Sequence, residues 1–585
     1  MKTLKGIGVS PGVVIGKVRL LKTDKIDVPR TEIDESLIPN EIARFEDALT
    51  KTRAELLGIR RKISDEIGRE HSDIFNAHLL ILEDRTLIED VINQIKTELV
   101  STEYAFSIVL QRYLHAFTQI DDEYLKERIA DIHDIGKRII HHLTLQERES
   151  LVDLKEQVIV VSHDLSPSDT ATMDRKNVIG FTTDIGGPTS HTAIIARSME
   201  IPAVVGLDHI SSEVQDGDKL IIDGTHGIII VNPDQSTIEK YLSEGKKFAT
   251  YILELEKLRN LPAQTLDEHR VELSANIEFQ DEISSVISHG AEGIGLYRTE
   301  YFYMNRSDLP TEDEQFEAYK QVAEQMEDKP VIVRTLDLGG DKFISSLDVA
   351  KEMNPFLGWR AIRFCLTRVD IFKVQLRAIL RASSFGKLKI MYPLISTLEE
   401  IIKANEILEE CRKELKKEGV SFDEDMEVGA MIEIPSAAIT SDILAKEVDF
   451  FSIGTNDLIQ YSLAVDRVNE KIAYLYQPTH PAILKLIRLT IENAHKNNIW
   501  VGACGEMGGD PISSLLLLGM GVDEISMSPF VLPKIKKAIR AVKFEDIKNL
   551  TDELLSNFDT AKAIQEAASD RIEQLIPGFK EEYLA

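Results

Sequence analysis

The spacing of apolar positions changes several times along the chain. Over residues 1–20 apolar and polar residues alternate around turn glycines, as in the run Val13, Val14, Ile15, Gly16, Lys17, Val18, which predicts a β segment. Between 33 and 147 glycine and proline nearly vanish. The apolar period lengthens to three and four, through Ile42, Phe45 and Leu49, then Ile74, Phe75, His78, Leu79 and Leu82. About 115 residues of this texture predict a helical bundle inserted after the first strand. Strand signals return at Gln157–Val161, Val178–Thr182, Ala203–Val205, Lys219–Ile222 and Gly227–Val231, and Asn232-Pro233 ends the unit. Residues 234–260 read as one helix, on the order of 40 Å at 1.5 Å per residue. Leu261-Pro262 stops it.

Eight short β-type runs follow, separated mainly by helical stretches. They are Val271–Ile277, Gly293–Arg298, Val331–Leu336, Lys387–Tyr392, Val428–Ile434, Phe450–Gly454, Trp500–Cys504 and Glu524–Met527. Eight strands alternating with helices over roughly 250 residues predict a (β/α)8 TIM barrel. The long stretches 338–386 and 457–499 are elaborated loops of it, and a helical tail, Phe544–Leu575, closes the chain. The fold class is therefore α/β. One α/β domain spans 1–32 and 148–232 around a helical subdomain at 33–147; a helical linker at 233–261 leads to the barrel at 262–543 and the tail at 544–585.

Composition narrows the partners. The 585 residues carry 98 acidic and 68 basic side chains, a net charge of −30, which disfavours nucleic-acid binding. With 43% hydrophobic and 28% charged residues the chain builds ordinary globular cores. Cys365, Cys411 and Cys504 are too widely spaced for a disulfide framework or a cysteine zinc site. The first ten residues hold no apolar core of a leader, and the longest apolar runs, such as Ser514–Met520, fall well short of the ~20 residues of a membrane span. A soluble, cytoplasmic protein is expected.

Barrel chemistry sits where the strands end. Those ends carry Arg298, Arg334, Glu433, Asn456 with Asp457, and Cys504, with Arg467 in the loop after the sixth strand. Three guanidiniums suit a substrate rich in anionic oxygens. Two carboxylates without a histidine cluster suit a hard cation such as Mg²⁺, bound partly through substrate phosphate. With such an ion the cup carries a net +3, against about −3 for a small phosphorylated carboxylic acid.

A second constellation runs from Thr182 to Arg197. A strand ends at Thr183, Gly186 and Gly187 make a tight turn, and Thr189 or Ser190 can cap a helix starting near His191. Free backbone amides and the helix dipole there favour added negative charge, so His191 is well set to become a phosphohistidine. The run Pro11–Val18 fails the phosphate-loop pattern at both ends, so ATP is not implied.

These two segments carry a resemblance. Gly186, Gly187, Pro188, Thr189, Ser190, His191, Thr192 and onward to Arg197 resemble the phosphohistidine segment of the phosphoenolpyruvate-utilising enzymes. The run Asp449 to Arg467, with Ser452, Gly454, Thr455, Asn456 and Asp457, resembles their second, barrel signature and is long and specific. Length, spacing and the inserted helical block are similar to the enzyme I family of the bacterial phosphotransferase system, the phosphoenolpyruvate–protein phosphotransferases. The likeness covers essentially the whole chain.

That resemblance implies an activity and its residues. His191 would be phosphorylated at Nε2 by phosphoenolpyruvate, releasing pyruvate, and would hand the group to a histidine of the carrier protein HPr, the first step of sugar uptake. Arg298, Arg334, Asn456, Asp457 and Arg467 would bind phosphoenolpyruvate, with Lys342 a further phosphate contact. Glu433 and Asp457 would hold Mg²⁺, and Cys504 would protonate the enolate carbon. The helical block would dock HPr, with the acidic Glu83-Asp84 edge meeting a basic face, and the barrel would form a homodimer. Pro188 stands where relatives carry Arg, which removes a cation and an amide donor beside the histidine.

Rival readings remain open on the sequence. A phosphoenolpyruvate synthase or pyruvate phosphate dikinase shares both motifs but needs a nucleotide-binding domain for which no length is spare. A magnesium-dependent barrel lyase would make the histidine segment structural. A non-catalytic phosphoenolpyruvate sensor would not need to keep the acid Cys504.

Overall fold

Runs of Val, Ile and Leu without polar alternation suit strands buried on both faces, and a computed structural model of the chain forms strands at each of these runs. The structure describes the chain apart from residues 22–27, 67–77, 80, 119–122, 145–153, 155, 166–172, 174–175, 188–191, 194–195, 197–200, 304–307, 339–351, 353, 468, 470 and 584–585. It divides into two compact units, Met1–Tyr251 and Ile252–Ala585.

The first unit is built on an eight-stranded sheet. Its strands are β1 (Lys2–Lys5), β2 (Ile7–Ser10), β3 (Val13–Leu21), β4 (Val158–Ser162), β5 (Val178–Thr183), β6 (Ala203–Val205), β7 (Lys219–Asp223) and β8 (Ile228–Val231). They lie in the order β1-β8-β7-β3-β4-β5-β6-β2. The centre, β3 to β6, is parallel and the flanking pairs are antiparallel. Between β3 and β4 the described residues include the helices α1 (Ile38–Glu66), α2 (Arg85–Glu98), α3 (Thr102–Thr118) and α4 (Glu123–Thr144), around Phe45, Val91, Ile95, Phe106 and Ile139. Asp84 starts α2 by accepting from the Thr86 and Leu87 amides at 2.8 and 3.2 Å. Helix α5 (Gln235–Leu258) begins where Asp234 accepts from the Thr237 amide, and the division between the units falls within it.

The second unit is a closed barrel of eight parallel strands, so the α/β fold with a TIM barrel holds. These are β9 (Glu272–Ile277), β10 (Ile294–Tyr297), β11 (Val331–Arg334), β12 (Leu388–Tyr392), β13 (Val428–Ile432), β14 (Phe450–Gly454), β15 (Trp500–Cys504) and β16 (Glu524–Met527). Outward residues such as Leu273, Val333, Ile390 and Ile432 join the main core under the helices, while Leu296, Ile332, Met391, Met431, Phe450 and Cys504 form a separate inner cluster. Strand β14 passes directly into α6 (Thr455–Leu463).

The C-terminal segment is helical in successive pieces. It breaks into α7 (Phe544–Asn557), α8 (Ala561–Leu575) and α9 (Phe579–Tyr583). Phe558 is extended, and the Thr560 hydroxyl caps α8 by accepting from the Ala563 amide at 3.2 Å. Ile547, Leu554, Ile564, Ile572 and Phe579 belong to the barrel's own core, so this segment is packed rather than trailing. No described helix is long and apolar enough to cross a membrane.

Candidate functional site

The strand ends of the barrel gather a charged network. Arg334, the last residue of β11, is 9% exposed and pairs with Glu300 and, at 3.0 Å, with Asp337. The second Asp337 oxygen takes Arg360 at 2.8 Å. Glu433, one residue past β13 and 1% exposed, accepts the Leu394 amide at 2.5 Å. A Cβ on Gly454 would stand 2.8 Å from Glu433 Oε2, so the end of β14 is glycine to leave that carboxyl room. Leu394 and Ala361 are buried non-glycine residues with φ of 57° and 51°, strain that marks the two loops bringing Glu433 its amide and the network Arg360.

Asn456 and Asp457 open α6. Asn456 Oδ1 accepts from the Glu506 amide at 2.9 Å and from the Tyr476 hydroxyl at 3.4 Å, and Glu506 accepts from Arg467 at 2.8 Å. Arg298, one residue past β10, bonds Glu278. At the end of β15, Cys504 Sγ accepts from the Ser452 hydroxyl at 3.4 Å and its carbonyl accepts from Thr455 at 3.2 Å.

The electrostatics tie these side chains into one site. Burial works against the charge of Arg334, but Glu300, Asp337 and Glu433 outweigh it and hold the guanidinium protonated. Burial also opposes charge on Arg360, which Asp337 restores. Burial, then the charges of Asp457 and Asp337, push the Glu433 carboxyl well up. Asp457 is raised by burial and Asp337, against the pull of Arg360, Arg334 and Arg467. Burial lifts the Cys504 thiol to about 11, with the Ser452 hydrogen bond pulling the other way. Arg298 acts on the buried Glu300.

Three charged members escape a reading of strand ends alone. Glu300 and Asp337 each lie three residues past a strand end, of β10 and β11, within reach of the rule that favours barrel loops, whereas Arg360 is recognisable only from its contacts. Adding Arg360, Asp337 and Glu300 to the count lowers the net charge of the cup by one, from +3 to +2 with a divalent ion. The match to a triply charged substrate is therefore looser than the strand-end residues alone indicate.

In the first unit, β5 ends at Thr183 and leads to a turn with Gly186 at φ 128°. Asp184 anchors this turn: 3% exposed, it accepts from the Ser211 amide at 2.8 Å and the Ser211 hydroxyl, and bonds His163 Nδ1 at 2.9 Å. Thr192, Ala193 and Ala196 are helical and buried. His191 and Pro188 lie outside the described residues, as does Lys342.

Three domains of one family match the chain in order. Residues 5–128 match the N-terminal domain of the PEP-utilising enzymes, 154–227 their mobile domain and 253–544 their PEP-binding domain. The phosphoenolpyruvate-protein phosphotransferase of Priestia megaterium is 48% identical over 96% of this chain and 98% of its own length. That of Bacillus subtilis (strain 168) is 47% identical over 96% and 99%. The NMR solution structure of an Enzyme I (nEIt) protein is 48% identical and covers 42% of this chain and 99% of that one, with a TM-score of 0.38. The chain belongs to the PEP-utilising enzyme family, among its phosphoenolpyruvate-protein phosphotransferases.

Proposed function

We propose that this chain takes the phosphoryl group of phosphoenolpyruvate onto Nε2 of His191, releases pyruvate, and passes the group to a histidine of the carrier protein HPr. The observation that carries this reading is the Arg334–Asp337–Arg360 chain beside Glu433 and Asp457 at the strand ends of the barrel. Phosphoryl transfer asks a protein mainly for positioning and charge stabilisation, and a fixed set of guanidiniums supplies both.

In this reading Arg298, Arg334, Asn456, Asp457 and Arg467 bind phosphoenolpyruvate. Each arginine among them already has a carboxylate partner, Glu278, Glu300 with Asp337, or Glu506, so its orientation is set before substrate arrives. Substrate phosphate then competes with those carboxylates for the guanidiniums. The donors also fit a cation. Burial and neighbouring negative charge raise both Glu433 and Asp457, an excess that a positive ion relieves. Among the described residues no group of three or more His, Cys, Asp or Glu forms a fuller metal cage. Two carboxylates plus substrate phosphate suit Mg²⁺. When bound, that ion supplies Lewis-acid polarisation of the phosphoryl oxygens.

His191 attacks phosphorus, and the bond from phosphorus to the enol oxygen breaks. The enolate carbon then takes a proton from Cys504, whose thiol is kept protonated by its burial. The match of residues 154–227 to the family's mobile domain supports a hinge near the 233–261 helix that lets one imidazole serve both the cup and the carrier. The helical block α1–α4 is the docking surface for HPr, the barrel forms a homodimer, and the protein works in the cytoplasm. Incubation with phosphoenolpyruvate labelled in its phosphate tests the reading. An acid-labile adduct is expected, absent from His191→Ala; label retained by that variant would overturn it.

A further inference from the structure

The far end of the barrel interior is unexpectedly polar. Glu524, first residue of β16, is 4% exposed and lies beside Glu272, its register partner on β9. A Cβ on Gly295 would collide with Glu524 Oε1 and stand 2.8 Å from Ser526 Oγ, and a Cβ on Gly502 would collide with Glu524 Oε2. Two glycines thus leave room for this carboxyl, with the Ser526 hydroxyl next to it. Ser526 is in turn the register partner of Cys504 on β15 and of Ser274 on β9. Glu524 Oε2 and Ser526 Oγ are both buried, and neither has a hydrogen-bond partner among the described residues. Native structures rarely leave such atoms unpaired, and a proton path or a buried water is a usual reason.

We propose that Glu524 is the proton reservoir that recharges Cys504, with the Ser526 hydroxyl, which bonds neither of them at rest, turning from the carboxyl to Sγ to relay the proton. The proposal rests on Cys504 being the acid of the reaction. When the enolate electron pair forms the new C–H bond, the S–H bond of Cys504 breaks and leaves a thiolate. The Glu524 O–H bond then breaks, its proton passes through Ser526 to Sγ, and water entering past the half-buried Glu272 restores the carboxyl.

The direction of flow is set by surroundings. Burial, then the charge of Glu272, lift Glu524 to about 8, while Ser274 and Lys389 pull it down. The carboxyl is therefore mostly protonated near neutrality, and a thiolate whose conjugate acid lies near 11 takes its proton downhill. Lys389 is itself held by Glu427 at 2.5 Å and lies over the Trp500 ring, so it is not free to neutralise Glu524.

The test uses the full chain with phosphoenolpyruvate, Mg²⁺ and the carrier protein. Glu524→Gln keeps the volume but cannot release a proton. Rapid quenching is expected to show a burst of one pyruvate per chain, followed by a steady state about tenfold slower or more. Transfer of label from the phosphorylated chain to the carrier should be unchanged. Ser526→Ala should show the same burst, and it decides the matter alone if Glu524→Gln does not fold. Steady-state rates equal to that of the unmodified chain would overturn the reservoir. Full pyruvate release by Cys504→Ser would instead overturn the acid assignment, a separate failure.

Discussion

The two α/β units both bury apolar cores, but the barrel buries a denser set of charged side chains. In the sheet of the first unit the strands present Ile159, Val160, Ile221 and Ile229, all 0% exposed, and its cores are aliphatic with Phe181. Inside the barrel the strands add Arg334, Ser452, Ser526 and Glu524 to the apolar inner cluster, with Glu433 just past β13, none of these five above 9% exposed. Burying apolar surface stabilises by roughly 25 cal/mol per Å² and requires no partner. Burying a charge costs far more unless it is paired, and the barrel supplies the pairs in Arg334–Asp337 and Arg360–Asp337. A substitution therefore removes packing in one unit and a charge balance in the other.

The sharpest way to break this comparison is Arg334→Met. It takes away the guanidinium proposed to bind phosphate and leaves Glu300, Asp337 and Glu433 uncompensated. Pyruvate release with the carrier present is expected to fall about 10³-fold, and the barrel to lose about 3–5 kcal/mol. Full activity in steady-state assays would mean that the cup is not where chemistry happens. Phe181→Ala is the counterpart in the sheet. It should cost about 3–5 kcal/mol in calorimetry of the first unit and leave the thermal shift that phosphoenolpyruvate gives the barrel as it was.

A third prediction separates the units by pH. Glu524 has an ordinary value of 4.5 when unfolded and about 8 when folded, so the native chain holds its proton more tightly. That contribution is fully present below about 4.5, declines as pH rises, and is lost above about 8. Denaturant midpoints at pH 5 and pH 9 should show the barrel losing roughly 2–4 kcal/mol across this window. In Glu524→Gln that share of the slope should vanish, leaving the share of the other raised carboxyls such as Glu433 and Asp457. Parallel pH profiles for the two proteins would mean that Glu524 is not a buried acid.

How much of this the sequence discloses follows from the same contrast. Short apolar runs alternating with helical stretches make all eight barrel strands legible, whereas residues 1–20, read as one β segment, hold β1, β2 and β3. Arg298, Arg334, Glu433, Asn456, Asp457 and Cys504 are legible because strand ends point to them. Arg360 is not, since the loop carrying it gives no sign that it returns to Asp337. Ser452, Ser526 and Glu524 are invisible for another reason: their meaning lies in register with neighbouring strands, as in Cys504 opposite Ser526. The break between α7 and α8 is hidden too, because Phe558 and Thr560 sit in a helical period that only local capping interrupts.

The smallest effect lies outside both interiors. Asp267 is exposed, yet it accepts from the Thr265 hydroxyl at 2.5 Å and from the Phe544 and Glu545 amides at 2.7 and 3.1 Å, fastening the start of α7 to the barrel. Its slight burial opposes charge, but these hydrogen bonds hold its carboxyl down at about 2. A depressed acid contributes above its unfolded value of 3.8 and loses that contribution as pH falls through about 2. Asp267→Ala should cost about 1 kcal/mol at neutral pH, the usual scale for a helix cap, seen as faster amide exchange in the first turn of α7. Asp267→Asn keeps an acceptor for one amide but does not titrate, so it should cost less at neutral pH and flatten the acid limb between pH 4 and 2. If the unmodified chain and Asp267→Asn behave alike across that limb, the charge on Asp267 contributes nothing, and α7 is held by uncharged hydrogen bonds and the packing of Ile547 and Leu554.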